Sequence, residues 1–363
     1  MGKSASGKVD HHSMASLRPL SIHSRWPLFL SSLLFLFTLL LVACDTALLS
    51  NRPAEISYQP IASLPEGTAS RSFLVFGDWG GGKWWQPGSD DRQRLVASGM
   101  KKIKDTSRRG ADFAVAVGDN FYANGVKSIQ DRKWRSHFED VYTAEQFPMP
   151  FYMVLGNHDY REDPHAQIAY HQLVNEHATG RWYMPDWYYT FSDTLADSTI
   201  VQFFNLDSQM LINDDDYLSY RYRTNAPAGA SQRQMAWLED ELKASRARWK
   251  FVVMHHPIFS NGRHGNTPWL IEHLHPLLER YGVQAVFSGH NHNLEAIKPI
   301  EGVHYFVAGA AANVNDVAWR KNTLYAHTGP GFLWCRITHD TMAAVFYNNR
   351  AKERWAITIP HGN

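Results

Sequence analysis

Apolar and polar positions alternate in blocks along this chain. Beyond residue 71, the runs SFLVF, ADFAVAV, FYMVL, KFVVM and VQAVF each break within a residue or so into Gly, Asp, Asn or His. Short apolar runs rich in Val and Phe predict buried strands. TIVQFFNLD is a sixth such run, followed by a long polar loop. Helices are predicted at 90–108, 129–138, 164–178, 231–247 and 268–281. The third has Asp163 and Pro164 as cap and first-turn residue, and the fourth carries Met235, Leu238 and Leu242 at helical spacing. Apolar runs near 303–308, 332–337, 342–347 and 355–359 close the chain. Strands alternating with helices predict an α/β domain over 72–360.

The N-terminal pattern is different. Lys3, Lys8, Arg18 and Arg25 precede an uncharged stretch over 26–44 that ends Leu41-Val42-Ala43-Cys44. A basic region, an apolar region and small residues before a cut predict a secretory signal over 1–44. Its ending resembles a bacterial lipobox, which implies a lipidated Cys44 that anchors the protein to a membrane. The expected location is the bacterial cell envelope, on the periplasmic or extracellular face. Residues 45–71, polar and Pro-containing, read as a tether.

Composition narrows the picture further. At 363 residues and 44% hydrophobic content, the chain can bury one large core after the leader. A formal charge of +1 implies no polyanion partner, so no nucleic acid polymer is expected. Cys44 and Cys335 are the only cysteines. Cys335 lies in the apolar run GFLWCRI, which predicts a buried free thiol and no structural disulfide.

The candidate chemistry sits where the strands end. The five strings are GDWGG at Gly77, GDNFY at Gly118, GNHDY at Gly156, MHHP at Met254 and GHNH at Gly289. In open α/β sheets, ligands sit off the carboxyl ends of strands. Asp78, Asp119, Tyr122, Asn157, His255, His290 and His292 are therefore expected along one edge. Carboxylate, imidazole, amide oxygen and phenolate together suit hard or borderline metal cations.

That residue set, in that order, resembles the metallophosphoesterases, and within them the purple acid phosphatases of the small tartrate-resistant type. The separating residue is Tyr122, three positions after Asp119. The likeness continues in AQIAY at Ala166, HG at His264, PLLERYGV at Pro276 and GHNHNLE at Gly289. It implies a four-layer αββα sandwich, two mixed β-sheets flanked by helices. It implies one metal on Asp78, Asp119, Tyr122 and His292, and a second on Asp119, Asn157, His255 and His290, with Asp119 bridging. A phenolate suits Fe(III), and the less charged pocket suits a divalent Fe, Zn or Mn. Three negative ligand charges against five metal charges leave the site positive and attractive to a phosphate dianion.

The implied activity is that of an acid phosphatase, hydrolysing phosphate monoesters by attack of a metal-bound hydroxide. By the same resemblance His158 and His264 reach the phosphate. His264 is favoured as proton donor, because Gly262 and Gly265 suggest a loop flexible enough to bring it over the ester. Asn157 doubles as a substrate contact. His256 stands where relatives have a tyrosine and is expected in the pocket, while Asp159 is expected to anchor its loop. Trp84, Trp85 and Tyr160 are the best candidates for lining the substrate pocket. The alternatives are a phosphodiesterase or nucleotide hydrolase on the same fold, and a non-catalytic phosphate-binding or receptor protein.

Overall fold

Each of the five apolar runs before a motif forms a strand in the computed structural model. The structure describes residues 61, 63–81, 88–106, 109–171, 173–175, 178–212 and 229–362. The chain divides into two units, Met1–Pro53 and Ala54–Asn363, and every described residue belongs to the second. The leader with Cys44, the tether through residue 60, and Trp84 and Trp85 lie outside the described residues. Among the described residues, no helix is long and apolar enough to cross a membrane.

One seven-stranded sheet has the spatial order Glu353–Pro360, Thr341–Asn348, Gly331–Ile337, Arg71–Phe76, Phe113–Ala116, Phe151–Met153, Trp182–Tyr183. The other runs Thr323–His327, Leu294–Ile300, Val303–Ala308, Ala285–Ser288, Trp249–Val253, Ile200–Asn205, Tyr189–Thr194. Both are mixed. Arg71–Phe76 pairs parallel with Phe113–Ala116, Phe73 opposite Phe113, and antiparallel with Gly331–Ile337, Arg71 opposite Ile337. Trp249–Val253 and Ala285–Ser288 run parallel in the second sheet, Phe251 opposite Ala285. The motif strands are thus parallel neighbours within each sheet, three in the first and two in the second.

These central strands are mostly apolar because both of their faces are covered. After Arg71, every residue of Arg71–Phe76 is buried. Phe73 stacks on Phe113 with centroids 5.2 Å apart and meets Phe203 and Phe287 of the other sheet edge-on at 5.3 and 5.7 Å. The space between the sheets is therefore filled largely by rings, and each fully buried Phe contributes roughly 1.5–3 kcal/mol. On the outer side, helix Ser89–Lys104 buries Val96, Ala97, Met100 and Ile103, with Asp90 and Asp91 in its first turn and Lys101, Lys102 and Lys104 in its last. That charge order suits the helix dipole.

The predicted helices are present but shorter. The 164–178 pattern forms a helix only over His165–Tyr170, and Val174–Asn175 then pairs with Ala178–Thr179. Two contacts hold the chain in this pair instead: Asn175 accepts the Ala178 N–H at 3.1 Å, and Glu139, distant in the chain, draws in both the N–H and the hydroxyl of Thr179. The 129–138 pattern yields one widened turn, Trp134–Glu139, in which Asp140 N–H reaches Arg135 C=O. Cys335 is a buried free thiol in Gly331–Ile337, as expected.

Candidate metal centre

Asp78, Asp119 and His290 sit just past their strand ends, and each takes a left-handed backbone, with φ of 55°, 49° and 65°. A non-glycine residue held there costs on the order of 1–3 kcal/mol and persists only where its surroundings dictate it. The surroundings are tight. A side chain at Gly156 would begin 2.3 Å from Asp119 Oδ1, and one at Gly289 would begin 2.6 Å from Asp78 Oδ2. Glycine at these two positions lets each carboxylate lie against neighbouring backbone. His158 N–H donates to Asp119 Oδ1 at 2.8 Å, and His290 N–H donates to Asp78 Oδ2 at 2.9 Å.

Two groups of donors result. Ligand atoms of Asp78, Asp119 and His292 lie within 4.8 Å of one another. The Tyr122 hydroxyl lies against the Asp119 carboxylate, 2.8 Å from Asp78 Oδ1 and 3.1 Å from His292 Nε2. Burial, then the charges of Asp119 and Asp78, hold the Tyr122 hydroxyl well above the usual phenol range. Without a cation the phenol keeps its proton.

The second group is His255, His256 and His290, again within 4.8 Å. Asn157 Oδ1 lies 3.2 Å from His255 Nε2 and 3.1 Å from His290 Nδ1. Asp119 Oδ1 lies 3.5 Å from His255 Nε2 and so touches both groups. His255 Nδ1 faces the Val117 carbonyl at 2.8 Å, an acceptor that places the ring proton there. His255 Nε2 then turns a lone pair toward the amide oxygen of Asn157. Two lone pairs facing each other repel unless a cation lies between them, so the residues present fit a metal. Burial, then mutual repulsion with His256, His255 and His264, holds His290 well below the usual imidazole range. His290 therefore stays a neutral donor in acid.

The other expected residues fall around this pair. His158 is half-buried, its Nδ1 2.6 Å from the Ala123 carbonyl and its ring 4.4 Å from that of Tyr122. His264 is exposed at the rim, its ring 4.4 Å from that of His290. The two histidines thus stand over different donor groups. His256 is buried, its Nδ1 2.9 Å from Ser208 Oγ and its ring 4.4 Å from His290. Tyr160 gives its hydroxyl to Asp207 and stacks on Trp187 at 5.9 Å. Asp159 accepts backbone N–H groups of Asn120, Phe121 and Gly156 and the Gln167 amide, and so ties two motif loops together as expected. The loop bearing His264 is not loose. Its N–H donates to Asn291 Oδ1 at 2.7 Å, and Gly265 N–H closes on Gly262 C=O at 3.0 Å.

Sequence reasoning missed the residues that hold these side chains in place. Asn315 Nδ2 lies 3.1 Å from His292 Nδ1, and Asn291 supports the His264 loop from between His290 and His292. Asn291 was visible inside GHNH, but nothing in the sequence marked Asn315, some twenty residues further on. Beside His264, Asn261, Gly262 and Arg263 face Val314–Ala318 across a cavity of about 660 Å³.

Comparisons with known proteins agree with this geometry. The calcineurin-like phosphoesterase family model matches residues 71–294. Tartrate-resistant acid phosphatase type 5 of Homo sapiens is 32% identical over 316 residues, covering 83% of this chain and 94% of the relative. Purple acid phosphatase 17 of Arabidopsis thaliana is 34% identical over 334 residues, covering 88% and 90%. Among solved structures, GAP50, the anchor in the inner membrane complex of Plasmodium, superposes with a TM-score of 0.70 at 23% identity, over 81% of this chain and 90% of that one. A purple acid phosphatase from yellow lupin (Lupinus luteus) seeds gives 0.55 at 17% identity, over 82% of this chain and 55% of that one. At these identities the two structures speak to the fold alone.

Proposed function

Because this chain belongs to the calcineurin-like phosphoesterases, and within them to the purple and tartrate-resistant acid phosphatases, we propose that Asp78, Asp119, Tyr122 and His292 hold one metal and Asp119, Asn157, His255 and His290 the other. The activity is hydrolysis of phosphate monoesters at a binuclear metal centre. When bound, the two cations supply water activation at acid pH and charge neutralisation on the phosphate. The chain's own part is positioning and proton transfer. Asn157 and His158 lie on the loop that faces the phosphate, and His264 overhangs the His255–His290 side. From there His264 delivers a proton to the departing oxygen. The organic part of the ester occupies the cavity between Gly262 and Val317, with the Arg263 side chain at its rim.

The metals are Fe(III) in the tyrosine pocket and a divalent Fe, Zn or Mn in the other. The observation that carries this is the Tyr122 hydroxyl lying against both carboxylates and His292 Nε2. Two carboxylates and a phenol that ionises to a hard anion make this the more negative of the two pockets, which suits the more highly charged cation. Metal analysis with visible spectroscopy tests it. Tyr122→Phe is expected to lose the visible band while the protein stays folded. An active protein holding two zinc or manganese ions and no iron would reject the ferric assignment and leave the hydrolase standing.

The domain over 72–360 is tethered by 45–71 to a lipidated Cys44, on the outer side of a bacterial membrane. LVAC at the end of the apolar leader supports this. Cys44→Ser is expected to leave a larger, unprocessed precursor on a gel. Normal cleavage of that variant would instead indicate an ordinary secretory signal.

A further inference from the structure

Glu295 is a fully buried carboxylate on Leu294–Ile300, the strand that leaves the GHNHN segment. It lies outside both donor groups, and the chemistry described above makes no use of it. Its two oxygens are nevertheless fully engaged. Oε2 accepts the Ser260 hydroxyl at 2.7 Å, and Oε1 accepts the Asn261 N–H at 2.8 Å. Ser260 Oγ in turn accepts Asn291 Nδ2 at 2.8 Å and Gly262 N–H at 3.0 Å. Asn291 Oδ1 then accepts the His264 N–H at 2.7 Å. The path runs without a break from Glu295 to the backbone of His264. Burial pushes the Glu295 carboxyl up to about 7, so the fold tolerates a costly group here.

We infer that Glu295 is a positioning residue for phosphate-ester hydrolysis, acting through Ser260 and Asn291 to fix the loop that carries His264. This rests on the reading of His264 as leaving-group acid. The Ser260 hydroxyl has one proton. While Glu295 accepts it, both Ser260 lone pairs face Asn291 and Gly262. Without that acceptor the hydroxyl turns, competes with its own donors, and releases the amide that holds His264. A displacement of about 1 Å at a reacting group can cost on the order of 10²-fold.

The test uses the metal-loaded enzyme with an alkyl phosphate and with p-nitrophenyl phosphate, whose leaving group needs little protonation. Glu295→Leu is expected to lose roughly 10–10²-fold in kcat on the alkyl ester and far less on the nitrophenyl ester, with two metals retained. Glu295→Gln keeps an oxygen for the Asn261 N–H but faces Ser260 with a donor where Oε2 accepted, and is expected to show the same selective loss with the side-chain shape preserved. Ser260→Ala, a smaller change, is expected to show the same selective loss, so the inference can be judged without the Leu variant. Combined with His264→Ala, neither change should add further loss, because both act through one group. Equal losses on the two esters, or losses that add to that of His264→Ala, overturn the inference. If His264→Ala is selective and the Glu295 and Ser260 variants are not, this inference alone fails. If His264→Ala is itself not selective, the His264 reading fails and takes this one with it.

Discussion

Asp119→Asn is expected to cost the protein both its metal stoichiometry and its activity. Asp119 is the residue that touches both donor groups: Oδ1 lies 3.5 Å from His255 Nε2, and the carboxylate lies against the Tyr122 hydroxyl. The amide keeps the shape and removes the charge. The expected result is fewer than two metals per chain and a fall in kcat of roughly 10³-fold or more, since two-metal stabilisation of phosphoryl transfer is worth several kcal/mol. Two metals at normal occupancy with kcat within about tenfold would remove Asp119 from the bridging position.

The metal-free protein separates metal loss from misfolding. Burial, then the charge of Asp119, pushes the neighbouring Asp159 carboxyl up to about 7. A carboxyl raised on folding favours the folded state fully below its unfolded pKa, and that advantage disappears as pH rises through the raised value. The apo protein should therefore lose stability between about pH 4 and 7. Asp119→Asn removes the second cause of the shift, so its apo form should lose less over that window. Thermal unfolding of the two apo proteins across pH measures the difference. A variant that unfolds more readily than the wild type at pH 7 without metal would mean that Asp119 is structural.

His264→Ala should discriminate between substrates. General-acid help is worth about 10²–10⁴-fold, and it matters most for an alkoxide leaving group. The expected result is a large loss on an alkyl phosphate, a small one on p-nitrophenyl phosphate, and two metals in both cases. The pH profile adds a second readout. Although His264 is exposed at the rim, its ring is partly desolvated against His290, and this, then repulsion from His292, Arg263 and His255, lowers it to about 4; bound cations push it the same way. An arriving phosphate dianion pushes it back up. The basic limb of kcat/KM, which reports the free enzyme, should therefore lie at lower pH than that of kcat, which reports the complex. Both basic limbs should change in His264→Ala, while the acid limb stays. Equal losses on the two substrates with metals intact would make His264 a binding group and shift the acid role to His158 or water.

Much of this site could be read from the chain because each donor is tied to a local signal. Asp78, Asp119 and His290 follow a glycine that follows an apolar strand, and a Cβ at those three glycines would begin 2.3, 2.8 and 2.6 Å, respectively, from a neighbouring atom. Strand ends in a parallel sheet share one edge, which groups Asp78, Asp119 and Asn157 at one sheet and His255 and His290 at the other; packing of the sheets then joins the two groups. The anchoring of Asp159 could also be anticipated, since a carboxylate after GNH has backbone amides within reach. Helix lengths were less legible. The 164–178 pattern stops at Tyr170 because Glu139, far away in sequence, binds Thr179.

The sequence by itself determined which residues could be ligands, which strands carried them, and that the chemistry would suit a hard cation. Residue type and period are local properties, and each strand writes its own in the chain. Tertiary structure alone decided what stands behind those residues. Asn315 behind His292, Ser208 behind His256, and Glu295 behind the His264 loop are polar contacts between segments distant in the chain. No local pattern marks such a partner, because the need for it arises only when folding buries a donor or acceptor away from water. The same holds for the loop of His264. Its two glycines suggested mobility, and the hydrogen bonds that His264 N–H gives Asn291 and that Ser260 gives Glu295, between segments distant in the chain, hold it in place.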